Sequence, residues 1–567
     1  MTKFESVKNL STENYFNNNI FAIDAFNKKY AAYEGETYVQ ALKRVCDFIA
    51  SVEKTPELKK YWSERWFDEV FNDWWHPAGS IMQGAQTGRG ISLANCTTIS
   101  LGLLREDEEW DNLESIYKNA AYTVAKCAAY RQGLGVDFSR LRPKGTKVYN
   151  SSNESTGSIH WMEEIDGIGY KVGQKGRIPA MLFSLSISHP DIEEFITAKS
   201  DYTKIQNANI SCQITNAFYK CVERDGDWNL IFEVPEIKKG QRVYIDAHSI
   251  DKDSLYDDKK GLYYNISRKN RPYEKFTKVV KAKKLLELIA KNMTTNAEPG
   301  IQNIDIARKY SNSDALYDPK DEYDSRILST NACSEQYLSR ESLCVLASLN
   351  MGRFSTIIEE FILELQKIAE SINRFLDNVN ECELVYGTYA TPHQKLAIQK
   401  LRRTGAGLTN ISEWLLKKNI VYGTKECNDN VEEFMKWYNY WLYISSEKVG
   451  HEKGSFEMFN EKKWKSAPFV SRIIDESIKL NKKYDVPILK GDAARNITNS
   501  SIAPTGTLTL MFRHLLLSYG IEPAFYLYWW KRTRISGFYE YYLCVPKVIR
   551  DLYEKAGHPI PVDSDCI

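Results

Sequence analysis

The pattern that most constrains the fold is the run Met181, Phe183, Leu185 and Ile187, apolar at every second position with Ser184, Ser186 and Ser188 between. Period two predicts a half-buried strand. Pro190-Asp191-Ile192-Glu193 follows at once, and a proline with acids beside it predicts the first turn of a helix. Ile210, Cys212 and Ile214 repeat the alternation, so Cys212 is expected to face a core. From Cys96 onward strand and helix signals alternate, which favours an α/β architecture over an all-α or all-β one.

Residues 1–95 read as a mainly helical N-terminal region. Tyr38, Leu42, Val45 and Ile49 stand at helical spacing behind a Thr37-x-x-Gln40 capping box, which makes Cys46 a packing residue. Trp62, Trp66, Phe67, Phe71, Trp74 and Trp75 are expected to pack this layer onto the next unit. Residues 96–567 form the second region, interrupted at about 236–281 by a stretch rich in Lys, Asp and Tyr that reads as a solvated insertion. Further on, Ile358, Phe361, Leu365, Ile368, Ile372 and Phe375 make an amphipathic stripe after a Thr356-x-x-Glu359 capping box. No internal repeat appears.

Composition narrows the function. With 75 Lys+Arg against 74 Asp+Glu in 567 residues, the chain is neither a disordered polyelectrolyte nor a strongly basic nucleic-acid binder. No apolar run approaches the roughly 18 residues of a spanning helix, and the first residues lack the apolar core of a secretory signal, so a cytoplasmic location without membrane contact is the default. The 11 cysteines are too sparse for a disulfide scaffold and form no CxxC pair, and the histidines form no HExxH, so no protein-built metal site is expected. Cysteines that do chemistry here do it as thiols or radicals.

The most informative segment is Asn331-Ala332-Cys333-Ser334-Glu335, followed by Cys344. An amide, a thiol and a carboxylate at i, i+2 and i+4 point to one side of an extended segment or tight loop. A polar loop with an incidental buried cysteine fits this segment alone equally well.

The chain as a whole resembles the catalytic subunit of ribonucleotide reductase, in which an Asn-x-Cys-x-Glu loop holds the radical cysteine. The resemblance runs in order through His76-Pro77-Ala78-Gly79, Asn95-Cys96, Gly133-Leu134-Gly135-Val136-Asp137, Arg140-Leu141-Arg142-Pro143-Lys144-Gly145 and His189-Pro190-Asp191-Ile192-Glu193-Glu194-Phe195. It continues through 331–335, Arg403-Thr404-Gly405-Ala406-Gly407, Ala503-Pro504-Thr505-Gly506-Thr507 and Gly520-Ile521-Glu522-Pro523.

The resemblance implies a ten-stranded α/β barrel with a central finger loop. It implies that Cys333 is the thiyl radical that abstracts the ribose 3′-hydrogen, that Glu335 is the general base for the 3′-hydroxyl, and that Asn331 holds the 3′-oxygen. Cys96 and Cys344 would supply two electrons and end as a disulfide. A thiyl radical needs shielding from water, so this chamber is expected to be deep. Asn95 would touch substrate, in a place where many relatives have serine. Ala503 to Thr507 precede an apolar run, Leu508 to Leu517, that reads as a helix; the small residues at its start suit a phosphate, and in the family this segment binds the substrate's phosphates.

Family positions for a deoxynucleotide effector at a dimer interface fall on Asp111 with Leu113 and Ser115, on Arg142, and on Arg177 in the loop 173–180. Nothing in residues 1–95 resembles the family's ATP-binding cone, so no activity switch of that kind is expected. The acid in the finger loop argues against the glycyl-radical branch. The segment Ser501 to Thr507 and the Pro-Ala-Gly opening look most like the adenosylcobalamin-dependent branch. The rival is a chain supplied with its radical by a separate metal-bearing subunit, for which Tyr541-Tyr542 lies too near the phosphate loop; a non-catalytic nucleotide-binding remnant is a third reading. A thioredoxin- or glutaredoxin-like reductant and a homodimer are the implied partners. The chain ends at Cys566-Ile567, where relatives continue, so a truncated or split subunit, completed by a second polypeptide or flanking an intein, is expected.

Overall fold

The computed structural model describes residues 2–101, 113, 116–146, 148, 154–173, 179–201, 203–235, 273–535 and 538–560. Asp111, Ser115, Arg177, residues 236–272 of the expected insertion and Cys566 lie outside the described residues.

The N-terminal stretch carries helices and one strand, β1 (Trp75–Pro77). The Thr37 capping box forms, with the Thr37 hydroxyl accepting from the Gln40 amide and the Gln40 side chain accepting from the Thr37 amide. It opens the helix Tyr38–Ala50, which buries Tyr38, Leu42, Val45, Cys46 and Ile49. The aromatic cluster is packing, as expected. Trp66 Nε1 donates to the Ser371 carbonyl at 3.2 Å, and Trp66 and Trp75 both meet the Phe375 ring edge-on, which locks the helix Pro56–Phe71 against the helix Ile358–Tyr386.

β2 (Cys96–Ser100), β3 (Gly133–Asp137), β4 (Met181–Ser186) and β5 (Ala208–Ile214) follow, separated by helices. β6 (Asp227–Pro235) and β7 (Tyr273–Lys281) make an antiparallel ribbon, so the end of the expected insertion is strand. β8 (Gly300–Asn303) completes a parallel sheet in the order β2-β3-β4-β5-β8. β9 (Ile327–Thr330) and β10 (Tyr337–Ser339) form a hairpin. β11 (Val345–Asn350) and β12 (Thr404–Thr409) run parallel, with β1 antiparallel on the other side of β11. A bridge from Ala406 to Ser500 extends this second sheet, and an antiparallel bridge between Cys96 and Cys344 joins it to the first. β13 (Trp529–Ile535) and β14 (Phe538–Cys544) form a separate ribbon. The α/β class is therefore as expected, while the pairings among the described residues make sheets of five and three strands joined at one junction rather than a closed ring of ten.

Each sheet has its own apolar core. Leu134, Val136, Met181, Phe183, Leu185 and Cys212 belong to the first, and β11, β12 and the N-terminal helices share the second with the helix Ile358–Tyr386. Residues 1–95 thus pack into the same core as β11. The opposite face of the five-stranded sheet is polar, and the hairpin lies on it. Thr98 Oγ1 donates to the Thr330 carbonyl at 2.7 Å, Ser184 and Ser329 hydroxyls meet at 2.8 Å, Gln213 Nε2 donates to the Leu328 carbonyl at 3.3 Å and Gln302 Nε2 to Thr330 Oγ1 at 2.8 Å. Ser184 is therefore fully buried and β4 is covered on both faces, a correction to the half-buried strand expected from its alternation. A buried polar face is stable only when its groups are paired, and the hairpin pairs them. Gly135 is what lets it approach: a Cβ there would lie 1.7 Å from the Thr330 carbonyl oxygen.

Two further local expectations are corrected. The helix Ile358–Tyr386 forms, but Thr356 makes no capping box; Ser355 holds the entry instead, its amide donating to Glu364 and its hydroxyl accepting from the Ile357 amide. The helix expected to open at Pro190 begins at Ile192, two residues later, with Glu193 and Glu194 in its first turn as expected, while the Asp191 carboxylate accepts from the Lys144 and Ser158 amides. No helix among the described residues is long and apolar enough to cross a membrane.

Candidate active site

The hairpin tip carries the Asn-x-Cys-x-Glu segment. Asn331 anchors the turn: its amide donates to the Gln336 carbonyl at 3.0 Å, its carbonyl accepts from Ser334 and its Oδ1 accepts from the Gln336 amide. Ser334 takes a left-handed φ of +62°, which turns the chain tightly enough to bring Cys333 and Glu335 to one cavity. That cavity, of about 190 Å³, lies between the two sheets. The first sheet's side contributes Asn95, Cys96, Arg131, Gly133, Pro179 and Ala180, and the second sheet's side contributes Ala78, Leu346, Ser348 and the segment Ala503–Leu508, with Tyr30 beside it.

Cys96 and Cys344 oppose each other in the bridge joining the sheets, with the Cys344 amide donating to the Cys96 carbonyl at 3.3 Å and the Asn95 amide to the Cys344 carbonyl at 2.9 Å. Residues opposed in this way have Cα atoms roughly 4.5–5.5 Å apart, inside the range a disulfide spans. Both are free thiols and buried. Gly133, across from Cys96 in the β2–β3 pairing, leaves room for this sulfur: a Cβ there would stand 3.2 Å from Cys96 Sγ and 3.3 Å from the Ala332 methyl of the hairpin.

Electrostatics ties the group together. Burial pushes the Cys96 thiol well up, the neighbouring Glu335 carboxylate and Cys333 push it further, and the Asn331 amide opposes them. Burial and then Glu335 raise Cys344, against the Arg403 guanidinium. Both thiols therefore stay protonated at neutral pH and hold hydrogen as well as electrons. Glu335 is itself raised above the ordinary carboxylate value by burial, against its own backbone amide and the Asn331 side chain. Asn331 Nδ2 and Glu335 Oε2 are buried yet complete no hydrogen bond; Glu335 lines the cavity, whereas Asn331 and Cys344 lie just behind its wall.

Cys333 is exposed among the described residues, which corrects the expectation of a deeply shielded chamber: it stands at the hairpin tip and lines the cavity. The segment after Ala503 also differs from expectation. Leu508–Leu517 is not a helix; a short 3₁₀ turn spans Thr507–Met511, and the chain is irregular beyond it. Thr505 is buried with a left-handed φ of +49°, its hydroxyl donating to Thr409 at 3.3 Å, while Pro504, Gly506 and Thr507 face solvent. Thr507 Oγ1 lies 3.0 Å from the Tyr30 hydroxyl. Arg142 sits half-buried in the loop after β3 and does not line the cavity. Tyr541 is exposed on β14 and Tyr542 packs on Phe21, so neither reaches the cavity.

Sequence reasoning missed Tyr30, Arg131 and Gln336. Gln336 directly follows the Asn-x-Cys-x-Glu segment and its side chain reaches Cys344. Arg131 precedes Gly133-Leu134-Gly135 at a helix end, a place that usually takes glycine. Nothing local signals Tyr30.

The structure thus gathers Asn95, Cys96, Cys333 and Glu335 around one cavity, with Cys344 opposed to Cys96 at the sheet junction. The chain belongs to the ribonucleotide reductase barrel-domain family, which it matches over residues 95–558. It is 24% identical over 486 residues to the vitamin B12-dependent ribonucleoside-diphosphate reductase of Mycobacterium tuberculosis, covering 85% of this chain and 57% of that protein. The enzyme of the same name from Thermoplasma acidophilum is 24% identical over 467 residues, 81% of this chain and 49% of that protein. A Synechocystis ribonucleoside-diphosphate reductase subunit alpha is 25% identical over 442 residues, 75% of this chain and 52% of that one. The chain thus spans about half the length of the curated relatives it matches.

Proposed function

We propose that this chain is a ribonucleotide reductase catalytic chain that converts ribonucleoside di- or triphosphates to 2′-deoxyribonucleotides. The observation that carries the reading is the Asn331–Glu335 hairpin tip, whose Cys333 and Glu335 line one cavity with Cys96, while Cys344 opposes Cys96 at the sheet junction. A Cys333 thiyl radical takes the hydrogen atom from ribose C3′. Glu335 accepts the 3′-hydroxyl proton while Asn331 Nδ2 donates to the 3′-oxygen. The 2′-hydroxyl leaves as water, Cys96 and Cys344 give up two protons and two electrons to become a disulfide, and Cys333 returns its hydrogen to C3′. One ribonucleotide and two thiols become one deoxyribonucleotide, one disulfide and one water. Asn95 touches the sugar, and Ala503, Pro504, Thr505, Gly506 and Thr507 receive the phosphates through amides and hydroxyls.

Adenosylcobalamin is the radical source this reading favours. The residues fit an external radical generator, since the Cys333 thiol is exposed where it lines the cavity and can be approached from outside. When bound, the cofactor supplies homolysis of its cobalt–carbon bond. Tyr541 and Tyr542 stand away from the cavity, which weighs against the branch fed by a second subunit through a tyrosine pair. We further assign the effector contacts to Asp111, Arg142 and Arg177 at a homodimer interface, the re-reduction to a thioredoxin- or glutaredoxin-like protein in the cytoplasm, and the two sheets to halves of one ten-stranded barrel.

Anaerobic turnover of CDP and CTP with dithiothreitol tests the reading. Deoxycytidine nucleotide is expected with adenosylcobalamin and none without it; formation only with an added metal subunit would overturn the cofactor assignment, and none under any condition would overturn the activity. In the same assay the rate should fall as the medium is acidified through the Glu335 pKa, above the ordinary carboxylate value, because the protonated acid cannot accept the 3′-hydroxyl proton. Glu335→Gln should flatten that limb.

A further inference from the structure

Glu383 is a buried acid that the reaction sequence above leaves without a part. It stands in the last turn of the helix Ile358–Tyr386, fully shielded from solvent and at the end where the helix dipole disfavours an anion. Among the described residues no Lys or Arg compensates it, and its Oε2 is buried without a hydrogen bond. Burial lifts the carboxyl from 4.5 to about 7, against the hydrogen bonds it accepts from Ser92, Ala94 and Leu93. A buried acid without a cation is costly for the fold. What this one gains is a grip on those three residues.

All three bonds converge on Oε1. The Ser92 hydroxyl donates at 2.8 Å and the Ala94 amide at 3.1 Å, and the Leu93 amide donates as well. Ser92, Leu93 and Ala94 are buried and run directly into Asn95 and Cys96. Ser80 braces the same segment, its hydroxyl 3.1 Å from the Leu93 carbonyl and 2.7 Å from Asn95 Oδ1. The Asn95 amide then donates to the Cys344 carbonyl, and the Asn95 carbonyl accepts from the Gly133 amide, beside the bridge that sets Cys96 opposite Cys344. Glu383 therefore ties a helix of the second sheet's core to β2, the edge strand of the first sheet, just where the two sheets meet.

We infer that Glu383 is a positioning residue for the thiol pair: by gathering Ser92, Leu93 and Ala94 on one oxygen it holds Asn95 and Cys96 in register with Cys344. The use of that pair in turnover rests on the reductase reading above; the placement of the segment does not. Without the oxygen the buried Leu93 amide loses its acceptor, and the Ala94 amide keeps only the Ser92 hydroxyl at 3.2 Å. A buried amide left unpaired is expensive enough for the segment to shift until it finds a partner. Cys96, next along the chain, moves with it.

The test titrates the thiol pair with no nucleotide or cobalamin present. The full chain is equilibrated with glutathione and glutathione disulfide, one glutathione disulfide oxidising Cys96 and Cys344 to their disulfide and leaving two glutathiones. Iodoacetamide labelling of each cysteine in the reduced chain is followed by mass spectrometry. Glu383→Ala is expected to lower the equilibrium constant for the Cys96–Cys344 disulfide about tenfold or more and to speed labelling of Cys96 by a similar factor, with Cys212 on β5 unchanged within about threefold. Glu383→Gln keeps the accepting oxygen and replaces a carboxyl that is near half neutral at neutral pH, so both readings should stay within about threefold of the wild-type chain. Ser92→Ala removes one donor and leaves the helix untouched; it should shift both readings the same way by about threefold, and it decides the matter if Glu383→Ala does not fold. Wild-type values in the alanine variants, an equal loss in Glu383→Gln and Glu383→Ala, or Cys212 opening along with Cys96 would overturn the inference. A wild-type chain that forms the disulfide but reduces no nucleotide refutes the reductase reading and leaves the placement standing; one that forms no such disulfide refutes both.

Discussion

Cys333→Ala is expected to remove deoxyribonucleotide formation altogether, a loss on the order of 10⁴-fold or more, as happens when one member of a group acting as a unit is deleted. The reason is chemical. No other thiol stands at the hairpin tip: Cys96 and Cys344 are buried behind it, and burial together with Glu335 holds both protonated as hydrogen donors. The substitution should leave the fold intact, because Cys333 is exposed and the turn is held by Asn331, Ser334 and Gln336. Single-turnover product analysis checks the first statement, and equilibrium dialysis with CDP, unchanged within about threefold, checks the second. Activity surviving in the variant would end the thiyl assignment.

Asp377→Ala is expected to cost about 3–5 kcal/mol of stability, read as a lower midpoint in urea unfolding. Asp377 is wholly buried, its Oδ1 accepting from Arg402 Nε at 2.8 Å and from Asn496 Nδ2 at 3.2 Å, and its Oδ2 from Arg495 Nε at 3.0 Å. Removing it leaves two largely buried guanidinium groups with Glu381 as their one remaining carboxylate. The position matters for function too, since Arg402 precedes Arg403 beneath Cys344, and Arg495 leads to the residues that pair with β12. A second set of charges lies close by: Glu53 accepts from Arg374 twice at 2.8 Å and from Lys453 at 3.1 Å, and its carboxyl is held down from 4.5 to about 2. Asp377 is likewise held below its ordinary value by Arg402 and Arg495, against burial. Depressed carboxylates add stability that is complete above their unfolded values and disappears as pH falls through the folded ones. Acid unfolding should therefore set in below about pH 4.5 and run toward about 2 for the Glu53 share. Asp377→Ala should remove the Asp377 share of that acid sensitivity.

What the sequence made legible was local. The Thr37 box, the stripe from Ile358 to Phe375 and the burial of Cys46 and Cys212 depend on residues three or four apart, or two apart in a strand, and the structure reproduces them. Thr356 carries an equally good local signal, yet it does not cap its helix, because Ser355 already meets Ile357. The serine face of β4 could not be told from a solvated face, since the hairpin that covers it comes from residues far along the chain. Cys333 and Glu335 were found through an ordered set of short segments, and the cavity between two sheets that unites them with Cys96 has no local signature. The same holds for Arg131, which reaches the cavity wall from a left-handed helix end.

The most direct measurement is thiol mapping by mass spectrometry after a single anaerobic turnover with adenosylcobalamin and no external reductant. One Cys96–Cys344 disulfide is expected for each deoxyribonucleotide formed, with Cys333 recovered as a thiol, and neither product nor disulfide in Cys333→Ala. Deoxyribonucleotide formed while Cys96 and Cys344 remain reduced, or the same disulfide yield in Cys333→Ala, would contradict it.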